Sequence, residues 1–174
     1  MKSCRVLTAV FIFCIVVSSE AMAGDIPRLV RKGTATQIVV DGKPFVMLAG
    51  ELHNSSSSGL KYAERVWPKL RALNLNTVIA SASWELVEPE EAQFDFALID
   101  GLIHQARQND MRMVLIWFAS WKNGVSSYAP GWVKRDTGRF PRCLGSSNLN
   151  TKNVLTPLSE ASRRADARAF AALM

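Results

Sequence analysis

Carboxylates, amides and indole rings follow three short apolar segments of this chain. Each segment has the pattern of a short strand, and reactive groups of parallel α/β proteins collect where strands end. A sugar is bound by flat apolar rings against its C–H faces and by carboxylates and amides at its hydroxyl groups. The three segment ends supply both kinds of group, which predicts a carbohydrate site: Glu51, His53 and Asn54 after the first segment, Trp84 and Glu85 after the second, and Trp117, Trp121, Lys122 and Asn123 after the third.

Several of these side chains also have a structural interpretation. Trp84 and Trp117 could be core residues that cap the strands, since aromatic rings often do so. His53 could be held by a structural hydrogen bond, and Asn123 before a glycine could belong to a turn. Trp121 and the lysine after it lie beyond the strand, which favours ligand contact for them.

Glu51 and Glu85 end neighbouring strands and could face one pocket. Indole surroundings raise the pKa of a carboxyl group, as a general acid requires. Catalysis within the chain, substrate lining and a structural role are therefore all open for Glu85.

Helical patterns separate the strand-like segments. Helices are predicted in "YAERVWPKLRALNL", interrupted at Pro68, in "ALIDGLIHQARQND" and in "SEASRRADARAFAALM". The strands between them are "NTVIASAS" and "MRMVLIWF". Strands that alternate with helices predict an α/β fold with a parallel sheet. The long segment 120–141 is typical of a functional loop.

A β-hairpin is predicted to precede this sheet. Asp41-Gly42 separates two β-rich runs, and this dipeptide is a strong hairpin signal. The second run, Phe45–Ala49, is expected to continue into "GELH".

The first 23 residues have the features of a secretory signal peptide. Lys2 and Arg5 form a positive start, Val6–Val17 is a 12-residue apolar core, and Ala21-Met22-Ala23 resembles a cleavage site. The core is shorter than the ~20 residues of a spanning helix. We expect a signal peptide over 1–23, a mature domain over 24–174, export to the periplasm or the extracellular space, and no stable membrane anchor.

Composition excludes several other functions. The net charge is +6, but the basic residues are dispersed and no nucleic-acid motif is visible. Cys4 and Cys14 would leave with the signal peptide, and Cys143 has no potential ligand nearby, so we expect no metal and no cofactor. His104 is interpreted as structural. The expected partner is a carbohydrate substrate, and the oligomeric state is left open.

Several motifs resemble a known family when they are taken in order. "GELH", "LNTV", "WELVEPEEAQFDF" and "DGLI" followed by "AR" resemble the β-galactosidases of glycoside hydrolase family 35. "WFASWKNGVSSYAPGWVKRDTGRFPR" resembles a related bacterial branch, the family 42-like (β/α)8 glycosidases. The resemblance runs from about Gly33 to Met174. It implies the N-terminal portion of a (β/α)8 TIM barrel with about three to four βα units.

The resemblance also implies a retaining mechanism with two carboxylates. The acid/base of the family is the Glu of an Asn-Glu pair after the fourth strand, and the nucleophile follows the seventh. This chain contains no Asn-Glu pair. No catalytic residue is therefore assigned within it, and both are expected beyond Met174. Glu85 and Glu88 lie in the Trp-x-x-x-Glu-Pro element, which implies site-lining or loop-fixing work.

The predicted function is β-galactosidase-like hydrolysis of terminal β-linked sugars in the full-length protein. The alternative is a non-catalytic sugar-binding protein or an inactive remnant. A barrel of this kind needs about 250 residues, and the chain ends at Met174 within a helical pattern, so we expect a truncated protein. An open part of a barrel exposes sheet edges, so the isolated chain is predicted to be poorly folded or self-associating, and inactive.

Overall fold

The computed structural model describes residues 26–122, 127–143 and 154–174. The predicted signal peptide lies outside these ranges. The chain divides into two compact units, one ending at Val46 and the other beginning at Met47. Within the described ranges, no helix is both long enough and apolar enough to cross a membrane.

The first unit is a three-stranded antiparallel sheet with the order β1-β2-β3. Its strands are β1 (Arg28–Lys32), β2 (Ala35–Val40) and β3 (Lys43–Pro44). Asp41 and Gly42 connect β2 to β3 with φ angles of 50° and 73°, the two positive values that a type I′ turn requires. The predicted hairpin is confirmed. Strand β1 was not predicted, because its sequence "RLVRK" reads as a basic cluster.

The predicted second arm of the hairpin, Phe45–Ala49, is wrong in extent. Strand β3 ends at Pro44, and the backbone N–H of Phe45 donates to the carbonyl of Ile38 at 2.9 Å. Residues from Ala49 onward pair in a different sheet. One apolar run therefore ends one sheet and begins the next, and its composition does not mark the division.

The second unit contains a three-stranded parallel sheet with the order β4-β5-β6. Its strands are β4 (Ala49–Glu51), β5 (Thr77–Ser83) and β6 (Arg112–Phe118). Both longer strands are where the β-branched segments predicted them. Neighbours in the sheet follow one another in sequence, which is the arrangement of consecutive βα units in a barrel.

Helices follow each strand, so the second unit holds three βα units. The helices are α1 (Leu60–Ala63), α2 (Trp67–Ala72), α3 (Trp84–Val87), α4 (Ala97–Gln108), α5 (Gly131–Arg135) and α6 (Glu160–Leu173). Pro68 lies in the first turn of α2, where a missing N–H costs nothing. The predicted interruption therefore separates α1 from α2.

The two faces of the parallel sheet have different neighbours. Val78, Ala82, Met113, Leu115 and Trp117 belong to the apolar clusters that the helices cover. Successive strand residues point to opposite faces. The strand register then assigns the opposite face, here called the open face, to Glu51, Ile79, Ser81, Ser83, Val114, Ile116 and Phe118. In a barrel this face points to the axis. The predicted α/β class and partial (β/α)8 architecture are confirmed.

Candidate functional site

Parallel strands end at one edge of their sheet, here called the carboxyl edge. Glu51, Ser83 and Phe118 are the last residues of β4, β5 and β6. The predicted site residues lie at or after these positions in the chain, apart from Trp117, which precedes Phe118 within β6. Their side chains, however, lie in different surroundings.

The loop after β4 is fixed by buried serines. The hydroxyl of Ser81 on β5 donates to the carbonyl of Asn54 at 2.9 Å. Ser57 is buried, and its hydroxyl lies 3.0 Å from the carbonyl and 2.8 Å from the hydroxyl of Ser81. Glu51 on the open face and His53 in this loop are both exposed. The loop therefore has a fixed backbone and presents a carboxylate and an imidazole to solvent.

Trp84, predicted to contact substrate, is completely buried. Its indole N–H donates to Oε2 of Glu88 at 2.8 Å, and its ring packs edge-on against Trp132 with centroids 5.9 Å apart. Trp84 therefore occupies the core position that its structural interpretation assigned to it. A buried ring offers no face to a sugar, so Trp84 is a core residue at this edge and not a surface that a sugar could contact.

Glu85 lies at the surface beside a lysine. Its carboxylate Oε2 is 2.9 Å from Nζ of Lys134, and the two side chains are 39% and 31% exposed. Its backbone N–H donates to the carbonyl of Tyr128 at 2.9 Å. Glu85 is therefore held at the edge by a side-chain contact and a backbone contact.

Glu88 is a buried carboxylate with three donors. It receives hydrogen bonds from Trp84, from the backbone N–H of Ala92 at 2.7 Å and from Nη2 of Arg168 at 2.5 Å. This arrangement fits the loop-fixing role that the family resemblance implied for this position. It joins the segment after β5 to helix α6.

Glu91, three residues further along, has a different environment. It pairs with Arg139 at the surface, where the two side chains are 42% and 48% exposed. The hydrogen bond to Glu91 raises the pKa of the Arg139 guanidinium above its ordinary value. Glu88 and Glu91 are therefore a buried and an exposed carboxylate of one loop, each paired with an arginine.

Trp117 lies on the helix face of β6. Its indole N–H donates to Oδ1 of Asp166 at 2.7 Å, and its ring is 6.0 Å from that of Phe170. Both rings line a cavity of about 470 Å³ between the end of β6 and α6. Trp117 therefore packs under the helices, as its alternative interpretation holds, and points away from the open face.

Trp121 is 60% exposed and follows the end of β6. Next to it, Nζ of Lys122 lies 3.9 Å from the ring centroid of Phe118, a cation–π distance. The ring of Tyr128 contacts Phe118 at 5.0 Å. Asn123 lies outside the described residues. The edge beyond β6 thus combines an exposed indole with an amino group packed on the buried ring of Phe118.

Tyr128 and Lys134 were not singled out from the sequence. The backbone N–H of Tyr128 donates to the carbonyl of Ala119 at 3.0 Å, while its carbonyl accepts from Glu85. It therefore joins the ends of β5 and β6, and α5 places Lys134 against Glu85. The length of segment 120–141 indicated a functional loop, but the pattern of residues within it did not indicate that Tyr128 and Lys134 would lie at the carboxyl edge.

The arrangement suits recognition of a neutral polyol with an apolar face. The exposed or partly exposed groups at the carboxyl edge are an indole, two carboxylates, an imidazole and two ammonium groups. Within the described ranges, no group of three His, Cys, Asp or Glu side chains is placed to hold a metal ion.

Comparison with known proteins shows similarity to a glycosidase family. Residues 60–136 match the family model of β-galactosidases of glycoside hydrolase family 42. A β-galactosidase of Xanthomonas manihotis is 34% identical over 124 residues, which cover 64% of this chain and 20% of that enzyme. The chain thus spans about a fifth of the length of this curated relative. The predicted resemblance is confirmed, and the matching family is family 42.

Three solved structures are similar to part of this chain at low identity. They are the exo-β-1,4-mannosidase Op5Man5 from Opitutaceae bacterium strain TAV5 (19% identical, 55% of this chain and 18% of that one), a family 39 glycoside hydrolase from Bacteroides cellulosilyticus WH2 (14%, 80% and 25%) and an endogalactoceramidase (21%, 84% and 36%). The TM-score is 0.46 for each.

Proposed function

We propose that this chain, which is similar to the β-galactosidases of glycoside hydrolase family 42, forms three βα units of a glycosidase that acts on terminal β-linked sugars. Its carboxyl edge would be one wall of the sugar site. The family match over residues 60–136 supports the class of enzyme. The exposed groups at the carboxyl edge support the position of the site.

Trp121 is the observation that carries this proposal. A 60% exposed indole is unusual on a soluble surface, and it lies where three parallel strands end. In the proposed site its ring covers the C–H face of the sugar. Glu51, His53 and Asn54 accept or donate hydrogen bonds at the hydroxyl groups, and Glu85 with Lys134 closes the side between β5 and β6.

Hydrolysis in the whole protein is proposed to be retaining, with two carboxylates about 5–5.5 Å apart. Glu85 is paired with Lys134 and serves as a substrate contact in this proposal. The acid/base and the nucleophile are proposed to lie beyond Met174. The chain described here would therefore bind sugar without cleaving it.

Export is part of the same proposal. Residues 1–23 are proposed to be a signal peptide that directs the protein to the periplasm or the extracellular space. N-terminal sequencing of the exported protein tests this, and a mature chain that begins at Gly24 is expected. A protein that keeps Met1 and stays in the cytoplasm would contradict it.

A calorimetric titration of the 174-residue chain with methyl β-galactoside tests the site. Trp121→Ala is expected to weaken binding about tenfold, which corresponds to about 1.4 kcal/mol, because the sugar loses its apolar cover. Tyr62→Ala is the matched control, since Tyr62 on α1 is 57% exposed and lies outside the site. Equal losses in both variants would contradict the proposal.

The alternative is a sugar-binding protein without catalysis. It is favoured by the absence of an Asn-Glu pair from the sequence. Reading the gene beyond the codon for Met174 separates the two functions. A strand followed by Asn-Glu supports the hydrolase, whereas a stop codon with no such sequence after it supports the binding protein.

A further inference from the structure

Glu88 is a fully buried carboxylate that has no place among the proposed sugar contacts. A buried charge is stable only when it is paired and hydrogen-bonded. Both oxygens of Glu88 meet this condition. Oε2 accepts from the indole of Trp84 at 2.8 Å, and Oε1 accepts from Ala92 N–H and from Arg168.

These contacts bind both ends of helix α3. Trp84 is the first residue of this single turn and Glu88 is its C-cap, so the indole–carboxylate bond connects one end to the other. The backbone carbonyl of Glu88 also accepts from the indole of Trp132 at 3.2 Å. A four-residue helix has little stability of its own, so its geometry depends on these bonds.

Glu85 is the second residue of α3 and lies between the two bonded ends. Whatever fixes α3 therefore fixes the direction in which the Glu85 carboxylate leaves the backbone. Arg168 is contributed by α6, 80 positions away in the sequence. The third βα unit consequently contacts the turn that carries a site residue of the second.

We propose that Glu88 is a positioning residue for Glu85, with Arg168 as the counter-charge through which α6 helps to hold the sugar-contacting carboxylate in place. This inference rests on the proposed role of Glu85 in sugar binding. It goes further by making affinity at the carboxyl edge depend on a buried ion pair that touches no substrate.

Glu88→Gln tests the proposal, with Glu91→Gln as the matched control. Both variants make the same change in one loop, but Glu91 is 42% exposed and pairs with a surface arginine. Glu88→Gln is expected to weaken binding of methyl β-galactoside about tenfold, whereas Glu91→Gln leaves it unchanged. The amide keeps the shape of the side chain and cannot accept at both ends.

A measurement made without ligand tests the positioning of Glu85 independently of the proposed sugar binding. The carboxyl carbon resonance of Glu85 is measured by ¹³C NMR in the wild type, in Glu88→Gln and in Lys134→Met. In Glu88→Gln it is expected to move toward its position in Lys134→Met. This readout applies even if the wild-type chain binds no galactoside, an outcome that would sink only the proposed function.

Indole N–H signals report whether Glu88→Gln is folded. Trp67 donates to Gln105 and Trp117 to Asp166, so their signals should persist, while those of Trp84 and Trp132 shift. If the variant unfolds, Arg168→Met replaces it: the Glu85 resonance and the affinity are expected to change in the same direction, because α6 no longer holds Glu88, while the Trp84 signal stays in place because its bond to Glu88 remains. The proposal is overturned if the Glu85 resonance of the variant does not move. It is also overturned if the wild type binds the galactoside and the variant binds it with the same affinity.

Discussion

At the scale of single residues, tryptophans after neighbouring strands have opposite environments. Trp84 is completely buried and Trp121 is 60% exposed, although both follow strand-like segments in the sequence. Residue type and position predict that an indole lies near a strand end. They do not predict its burial, which depends on Trp132 and Glu88 packing around one ring and not the other.

This difference gives a prediction for stability. Trp84→Phe should lower the free energy of unfolding by about 2 kcal/mol, because Oε2 of a buried carboxylate loses its donor. Trp121→Phe should change it by less than about 0.5 kcal/mol, as exposed substitutions do. Urea denaturation followed by circular dichroism measures both. Equal effects would show that Trp84 is not a core residue.

At the scale of elements, the periodic segments were predicted well and the short ones were not. Strands β5 and β6 and helices α4 and α6 follow from β-branched runs and helical spacing. Helices α3 and α5 have four and five residues, too few for a period to be visible. They are fixed by tertiary contacts such as those of Tyr128 and Glu88, and these short elements carry Glu85 and Lys134 at the site.

Asp166 joins helix α6 to the end of strand β6. Its carboxylate accepts from Trp117, and from the backbone N–H and hydroxyl of Ser120 at 3.2 and 2.5 Å. Asp166→Ala should destabilise the chain by about 2 kcal/mol, because these donors lose their acceptor.

Glu160→Ala on the same helix is the control for Asp166→Ala. It removes only an exposed i,i+4 pair with Arg164, which is worth less than about 1 kcal/mol. Thermal unfolding of the two variants, compared by melting temperature, measures the difference. A larger loss for Glu160→Ala would contradict the anchoring role of Asp166.

At the scale of the whole molecule, the parallel sheet has two free edges within the described ranges. Strands β4 and β6 each pair with β5 alone. The open face carries the partly exposed side chains of Ile79, Val114 and Ile116. Free strand edges beside an apolar face favour association between chains.

The 174-residue chain is therefore expected to self-associate. Sedimentation velocity should give an average mass that rises above that of the monomer with concentration. Ile116→Lys should reduce this rise by placing a charge on the open face, whereas Leu158→Lys adds the same charge at an 89% exposed position and should not. A mass that stays at the monomer value at every concentration would overturn this prediction.

The central claim is that the carboxyl edge binds sugar through Trp121. Titration of the ¹⁵N-labelled chain with methyl β-galactoside, observed at the five indole N–H signals, tests it most directly. The account predicts that the signal of Trp121 moves furthest and that those of the buried Trp67 and Trp84 stay in place. No movement at Trp121, or larger movement at the buried indoles, would contradict it.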